Sequence, residues 1–145
     1  MCLSHLGHNV TCIDSNRQRI AQLREAKVPI YEPGVDGLLT SGLRSGRLSF
    51  SVWDEVALTE PVFAFMCVQT PTGADGRTDL TYVRTAAAQL GPRLPAGSTV
   101  VNKSTLPVGS VRLVSDLIGR SEISHYLYYP FYVSSPNARD GVVAA

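Results

Sequence analysis

Short apolar segments alternate with amphipathic segments along this chain of 145 residues, and no other feature restricts its fold as strongly. The apolar segments are rich in β-branched and aromatic residues and end at turn-forming residues, which is typical of β-strands. Strands are predicted at residues 10–13, 48–52, 62–68, 99–101 and 126–133. Strands that alternate with helices are joined by right-handed crossovers, which form a parallel sheet with helices on both faces. The sequence therefore predicts an α/β fold with a doubly wound parallel sheet.

The helical segments carry apolar residues three or four positions apart and begin near capping residues. Met1 falls inside a first helix, and Ser15 and Gln18 form a Ser-x-x-Gln capping box for the helix after the first strand. Further helices are predicted from residue 35 to the breakers Gly42 and Gly46, over residues 53–58 and 80–90, and from Pro107 to residue 118. These helices are the expected crossovers between the strands.

Composition excludes several classes of function. Apolar residues make up 44% of the chain and charged residues 17%, which suits strands that are covered on both faces. The formal net charge of +1 provides no basic surface for a nucleic acid. The longest apolar run, residues 62–68, is far shorter than the roughly 20 residues that cross a bilayer. We therefore expect one soluble, cytoplasmic domain that contacts neither nucleic acid nor membrane.

The three cysteines predict neither a disulfide framework nor a metal site. Their number is odd, and a chain of this length can form its own core without disulfides. Cys2, His5, His8 and Cys12 have the residue types of a zinc site. Because they span a helix end and a strand, their side chains should diverge, so ordinary packing is the favoured interpretation and no metal is expected.

Ligands of doubly wound sheets bind at the carboxyl ends of the strands, so the residues after each strand are the candidate site. Asp14 follows the first strand, where a carboxylate can accept hydrogen bonds from both ribose hydroxyls and repel a ribose phosphate. This setting favours NAD over NADP, although Asp14 could equally cap the following helix. Arg19 could lie beside the adenine or the ribose, or it could be a solvated helix residue.

Two later loops also follow predicted strands and contain small hydroxyl residues. Residues 68–73 include Thr70, and residues 102–109 include Thr105. Hydroxyls and backbone amides at a strand end can bind a ribose, an amide or a water. Turn formation by serine, threonine, proline and glycine explains both loops equally well, so neither loop identifies a ligand by itself.

Five motifs together resemble the NAD-binding domain of the UDP-glucose 6-dehydrogenase family over about residues 2–133. The motifs are residues 6–14, 28–34 (Val-Pro-Ile-Tyr-Glu-Pro-Gly), 70–73 (Thr-Pro-Thr-Gly), 79–83 and 102–109 (Asn-Lys-Ser-Thr-Leu-Pro-Val-Gly). The resemblance implies an NAD-dependent dehydrogenase that oxidises the 6-hydroxyl of a nucleotide sugar twice, through a cysteine thioester, to a uronic acid. It favours UDP-glucose; GDP-mannose and UDP-N-acetylmannosamine are the alternative substrates.

The resemblance also implies residue roles. Asp14 would bind the adenosine ribose with Arg19 nearby, and Thr70 and Thr105 would contact the dinucleotide. The Thr105 position also holds the catalytic water in this family. Asp140 stands near a family glutamate but is shorter, and Asn137 replaces another glutamate, so no catalytic role is assigned to either.

The chain departs from the family pattern at both ends. The family's first strand and Gly-x-Gly-Tyr-Val-Gly turn are not in this sequence. In the family's strand order that strand is central, so the strand ending at Asp14 and the strand at residues 62–68 should each lack a partner. The substrate domain and its cysteine are also not in this sequence, and Cys12 and Cys67 are expected inside strands, where no thioester could form.

These departures set the expected identity of the chain. Residues 1–145 are interpreted as a partial NAD-binding domain that is inactive by itself, with NAD and a nucleotide sugar as ligands of the full enzyme. A non-catalytic module that pairs with a full-length subunit is the alternative. Such a module would pair through its exposed strand edges. A homo-oligomer is also left open.

Overall fold

Helices and parallel strands alternate in the structure, a computed structural model that describes residues 1–29, 32–60, 62–74, 76–107, 110–119, 126–128 and 142–144. The helices and strands, in chain order, are α1 (Cys2–His5), β1 (Val10–Ile13), α2 (Arg17–Arg24), α3 (Val35–Arg44), β2 (Leu48–Ser51), β3 (Phe63–Met66), α4 (Thr81–Leu90), β4 (Thr99–Asn102), α5 (Ser110–Ile118), β5 (Tyr126–Tyr128) and β6 (Val142–Ala144). Short 3₁₀-helices occupy Trp53–Glu55 and Gly91–Arg93. The predicted α/β class with parallel strands is confirmed.

The chain forms two compact units. The first contains Met1–Ala57 and Arg139–Ala144, and the second contains Leu58–Ala138 and Ala145. None of the helices in the described part of the chain combines the length and apolar character needed to cross a membrane.

The first unit contains three parallel strands in the order β2-β1-β6. Val10 of β1 is the register partner of Leu48 on one side and of Val142 on the other. The prediction that the strand ending at Asp14 lacks a partner is therefore wrong, because β6 pairs with it. Local sequence did not reveal β6, since a three-residue strand is too short to show a period.

The core of the first unit forms where apolar residues of the helices meet the strands. Its most deeply buried apolar side chains include Val10, Ile13, Ile20, Leu39, Leu48 and Phe50. The predicted capping box is wrong by one residue, because the N-cap of α2 is Asn16, whose side chain accepts a hydrogen bond from the amide of Arg19 at 3.0 Å. Asn16 has the extended backbone that a capping residue requires.

Gly42 lies inside α3, so its predicted role as a helix breaker is wrong. A β-carbon at Gly42 would lie 2.8 Å from Cβ of Leu48 and 3.1 Å from Oγ of Ser4. The glycine thus allows α3 to approach both β2 and α1 closely. Gly46, the other predicted breaker, has φ +71° just after the helix and fits its predicted position at a helix end.

Replacing Gly42 by alanine is expected to lower the free energy of unfolding by about 1 to 3 kcal/mol, because the methyl group overpacks the contact with Leu48. Gly37 lies in the same helix and has nothing within 4 Å of its β-carbon position. Gly37→Ala should therefore raise the free energy of unfolding by up to about 1 kcal/mol through helix propensity. Urea unfolding followed by Trp53 fluorescence measures both free energies of unfolding. Equal changes in the two variants would contradict the close contact between Gly42 and Leu48.

The second unit contains the parallel strands β3, β4 and β5 in that order. Phe63 is the register partner of Thr99, and Val100 is the partner of Tyr126. Helices α4 and α5 contact each other. The most deeply buried apolar side chains of this unit include Ala64, Met66, Val83, Ala87, Val100, Val101 and Val114.

Several predicted bounds change in the structure. Residues 53–58 were expected to be helical throughout, but only the 3₁₀-helix Trp53–Glu55 forms. The last predicted helix begins at Ser110 rather than at Pro107, whose carbonyl accepts a hydrogen bond from the Ser110 amide at 3.2 Å. Of the strand predicted at residues 126–133, the described residues contain Tyr126–Tyr128, and the others lie outside the described residues.

Candidate functional site

Asp14 and Arg19, both predicted as site residues, form an ion pair directly after β1. The Asp14 amide donates to the Ser51 carbonyl at 3.1 Å, which extends the pairing of β1 with β2 by one residue. Oδ2 of Asp14 accepts from Nη1 of Arg19 at 2.8 Å, and Oδ1 accepts from the Asn16 amide at 2.8 Å. The Asp14 side chain is 29% exposed and that of Arg19 is 53% exposed. The carboxylate is therefore held in a fixed orientation while part of it faces solvent.

The Asp14 carboxylate keeps unused acceptor capacity. A carboxylate has about four lone-pair positions, and two of them are used by Asn16 and Arg19. The remaining positions suit two adjacent hydroxyl donors, such as the 2′ and 3′ hydroxyls of a ribose. Asp14 supports the turn before α2 but does not cap the helix, since the cap is Asn16. Arg19 is ion-paired and is not simply a solvated helix residue.

Thr70 is half-buried and lies in the loop between β3 and α4. The loop folds back on itself, because the Pro71 carbonyl accepts from the Asp79 amide at 2.8 Å and Thr72 forms an isolated antiparallel bridge with Thr78. The Gly73 amide donates to the Arg77 carbonyl at 2.7 Å. This small hairpin fixes the backbone next to Thr70.

Asp79 orders the start of α4. Its Oδ1 accepts from the amide of Thr81 at 2.9 Å and from the Thr81 hydroxyl at 2.6 Å. These hydrogen bonds stabilise the ionised carboxylate, and they hold the pKa of Asp79 below its ordinary value, with the hydroxyl bond as the larger cause. The first three residues of the fourth motif, 79–81, therefore have a local structural role, because they determine where α4 begins.

Thr105 is exposed at the carboxyl end of β4, between half-buried Ser104 and buried Leu106. The Ser104 hydroxyl donates to the Val68 carbonyl at 2.7 Å, so the loop after β4 is bonded to the loop after β3. The structure therefore brings the loops of Thr70 and Thr105 together within the second unit.

Cys67 differs from its predicted setting. The strand β3 ends at Met66, so Cys67 lies just beyond the strand, as an exposed residue whose sulfur is partly shielded from water. Loss of water around the sulfur raises the pKa of the Cys67 thiol, and the Lys103 ammonium acts in the opposite direction. Cys12 lies within β1, as predicted. None of the three cysteines forms a disulfide.

Two residue groups were considered in the sequence and assigned no site, namely the four residues with the types of a zinc site and the pair Asp140 and Asn137. Among the residues that the structure describes, there is no group of three or more histidine, cysteine, aspartate or glutamate side chains that could hold a metal ion. Cys2 and His5 lie on α1, whereas Cys12 lies on β1. Asp140 and Asn137 lie outside the described residues.

Sequence reasoning missed three residues that form hydrogen bonds next to the candidate residues. Asn16 was passed over because Ser15, beside it, is also a good capping residue. Ser104 and Asn102 entered the sequence analysis only as parts of a motif. The signal for Asn102 was its position as a polar residue directly after the predicted strand at residues 99–101.

Parallel strands, a partly exposed acid after β1 and hydroxyl-bearing loops after β3 and β4 place the chain in the class of Rossmann-like α/β domains. The sequence profile described as UDP-glucose/GDP-mannose dehydrogenase family, NAD binding domain, matches residues 1–139. The chain belongs to this family of NAD-dependent dehydrogenases. The family assignment made from the five motifs is confirmed.

Individual relatives agree with this assignment. The chain is 40% identical over 117 residues to a UDP-glucose 6-dehydrogenase of Pseudomonas aeruginosa, covering 81% of this chain and 26% of the relative. It is 35% identical over 127 residues to a GDP-mannose 6-dehydrogenase of the same species, covering 82% and 29%. The chain thus spans only about a quarter of the length of its curated relatives.

Solved structures show the same similarity. A GDP-mannose dehydrogenase of Pseudomonas aeruginosa, solved as a ternary complex, has a TM-score of 0.73 at 34% identity, covering 82% of this chain and 29% of that one. A UDP-glucose dehydrogenase of Pyrobaculum islandicum has a TM-score of 0.70 at 38% identity, covering 79% and 28%.

Proposed function

We propose that this chain is the NAD-binding part of a UDP-glucose 6-dehydrogenase, with Asp14 as the residue that binds the adenosine ribose. The observation that carries the proposal is the Asp14 carboxylate at the end of β1, oriented by two hydrogen bonds and left with acceptor positions for a diol. The same negative charge opposes a 2′-phosphate, so NAD is preferred to NADP.

The other residues act around this ribose contact. Arg19 holds Asp14 in orientation and lies beside the adenosine. The hydroxyls of Thr70 and Thr105 contact the dinucleotide from the loops after β3 and β4, and Thr105 also orients the catalytic water. NAD held by these residues would supply the hydride acceptor for oxidation at the sugar carbon that carries the 6-hydroxyl. No role is proposed for Asp140.

The activity of the whole protein is the oxidation of the UDP-glucose 6-hydroxyl to a carboxylate in two successive steps. UDP-glucose is favoured because several curated relatives named UDP-glucose 6-dehydrogenase are 33–40% identical to the chain. GDP-mannose is the second candidate, because a GDP-mannose 6-dehydrogenase is 35% identical. We propose that turnover also requires residues outside this sequence, since the chain spans about a quarter of these relatives. Pairing with a full-length subunit and homo-oligomer formation both stay predictions.

Thermal unfolding of the 145-residue chain with and without cofactor tests the proposal. A ligand that binds only the folded state at about 100 times its Kd stabilises that state by about 2.7 kcal/mol. Millimolar NAD is therefore expected to raise the midpoint by several degrees, and NADP at the same concentration should raise it much less. A cooperative transition that neither dinucleotide shifts would contradict the proposal.

A further inference from the structure

Asn102 is a buried polar residue at the carboxyl end of β4, with an exposed fraction of 7%. Its Nδ2 donates to the Ser104 carbonyl at 3.0 Å. Its Oδ1 is fully buried and has no hydrogen-bond partner among the residues that the structure describes. A buried acceptor without a partner disfavours folding, and an apolar side chain of similar size would avoid that cost. Stability of the core therefore does not account for asparagine at this position.

Asn102 belongs to a chain of hydrogen bonds that joins the two loops. The Ser104 carbonyl accepts from Asn102, and the Ser104 hydroxyl donates to the Val68 carbonyl at 2.7 Å. The Lys103 amide donates to the Met66 carbonyl at 2.9 Å and continues the pairing of β3 with β4 past the end of both strands. Thr105 directly follows Ser104, and Thr70 is two residues beyond Val68.

We propose that Asn102 and Ser104 are positioning residues, which hold the loops of Thr70 and Thr105 in the geometry that binds the dinucleotide. This inference rests on the proposed function for its ligand, but the loop positioning itself is measurable without any ligand. Asn102 fixes the Ser104 backbone, and the Ser104 hydroxyl fixes the loop after β3. Removal of the Ser104 hydroxyl deletes its bond to the loop after β3, and removal of the Asn102 amide releases the Ser104 backbone, while the ladder between β3 and β4 stays intact.

The chain offers a matched control at the opposite end of the same two strands. Ser98, just before β4, is fully buried, and its Oγ accepts from the Val62 amide at 3.2 Å. Ser98→Ala and Ser104→Ala therefore each delete one serine hydroxyl that joins the β3 segment to the β4 segment. Only Ser104 lies at the carboxyl end, where the dinucleotide is proposed to bind.

Hydrogen exchange of the backbone amides at residues 67–70 and 103–106 is the first measurement. Ser104→Ala should raise these rates by about tenfold, the equivalent of one ordinary hydrogen bond. Ser98→Ala should leave them unchanged, and Ser104→Thr, which keeps the hydroxyl, should restore the original rates. Equal rates in the two alanine variants would overturn the proposal, whether or not the chain binds NAD.

Two further measurements complete the test, namely the stability of the Asn102→Leu variant and the NAD affinity of the variants. This variant removes the unpartnered acceptor together with the donor, so the melting midpoint should stay the same or rise while the loop amides exchange faster. Titration with NAD should give a Kd about tenfold higher for Asn102→Leu and Ser104→Ala than for Ser98→Ala. A parallel loss of midpoint and affinity in Asn102→Leu would indicate a purely structural role. If the original chain binds no NAD, the proposed function fails, and the exchange rates still decide whether the loops are positioned.

Discussion

Replacing Asp14 by asparagine is expected to weaken NAD binding by about ten- to a hundredfold, because the ribose loses charge-assisted hydrogen bonds. The amide oxygen of asparagine can still accept from the Asn16 amide, so the turn before α2 is kept. The ion pair with Arg19 is lost, but both side chains are partly exposed, and such pairs contribute only about 0 to 1 kcal/mol to folding. The melting midpoint without ligand should therefore change little while the affinity falls.

The same variant should also narrow the preference for NAD over NADP. Without the carboxylate, the guanidinium of Arg19 is released beside the proposed ribose position and can pair with a 2′-phosphate. Asp36→Asn is the matched control, because it removes the same charge from an exposed position in the first turn of α3. Calorimetric titration of both variants with NAD and NADP measures the four affinities. Equal NAD affinities for Asp14→Asn and Asp36→Asn would rule out Asp14 as the ribose ligand.

Replacing Val143 by proline is expected to lower the free energy of unfolding of the first unit by about 1 to 3 kcal/mol. Val143 is the middle residue of β6 and the register partner of Thr11 in β1. Proline has no amide hydrogen, fixes its own φ near −65° and restricts the residue before it, so it is poorly tolerated inside a paired strand. Trp53 is the single tryptophan of the sequence and lies in the first unit, so its fluorescence reports on this transition.

Val143→Ala is the control for this experiment. It shortens the same side chain but keeps the backbone donor and the extended conformation. The difference between the two variants in urea unfolding therefore isolates the contribution of the β6 backbone. The same unfolding midpoint for both variants would show that the backbone of β6 does not stabilise the first unit.

Local patterns in the sequence were sufficient for the main strands and for one part of the site. β1 follows from a short β-branched run, and β2 follows from the alternation of apolar and polar residues. Asp14 and Arg19 are five residues apart, because Asp14 ends the strand segment and Arg19 lies in the first turn of α2. This short spacing can be interpreted from sequence alone, and the two side chains form an ion pair in the structure.

The features that sequence did not reveal depend on contacts between distant residues. Gly42 is a helix residue because Leu48 and Ser4 lie against it, and nothing in the residues next to Gly42 indicates those neighbours. The bond from Ser104 to Val68 and the pairing of Val10 with Val142 likewise join residues that are far apart in sequence. Periodicity describes one element at a time, so it cannot show which elements will meet.

The pairing of β1 with β6 also has a consequence for the order of events during synthesis. β1 is translated early, whereas its neighbour β6 is translated after every other described strand. Contacts between such distant residues form slowly, because the intervening chain must first lose much of its conformational freedom. Until β6 has left the ribosome, one edge of β1 is open to the strands of other nascent chains. The first unit is thus most prone to aggregation during translation, before its sheet is complete.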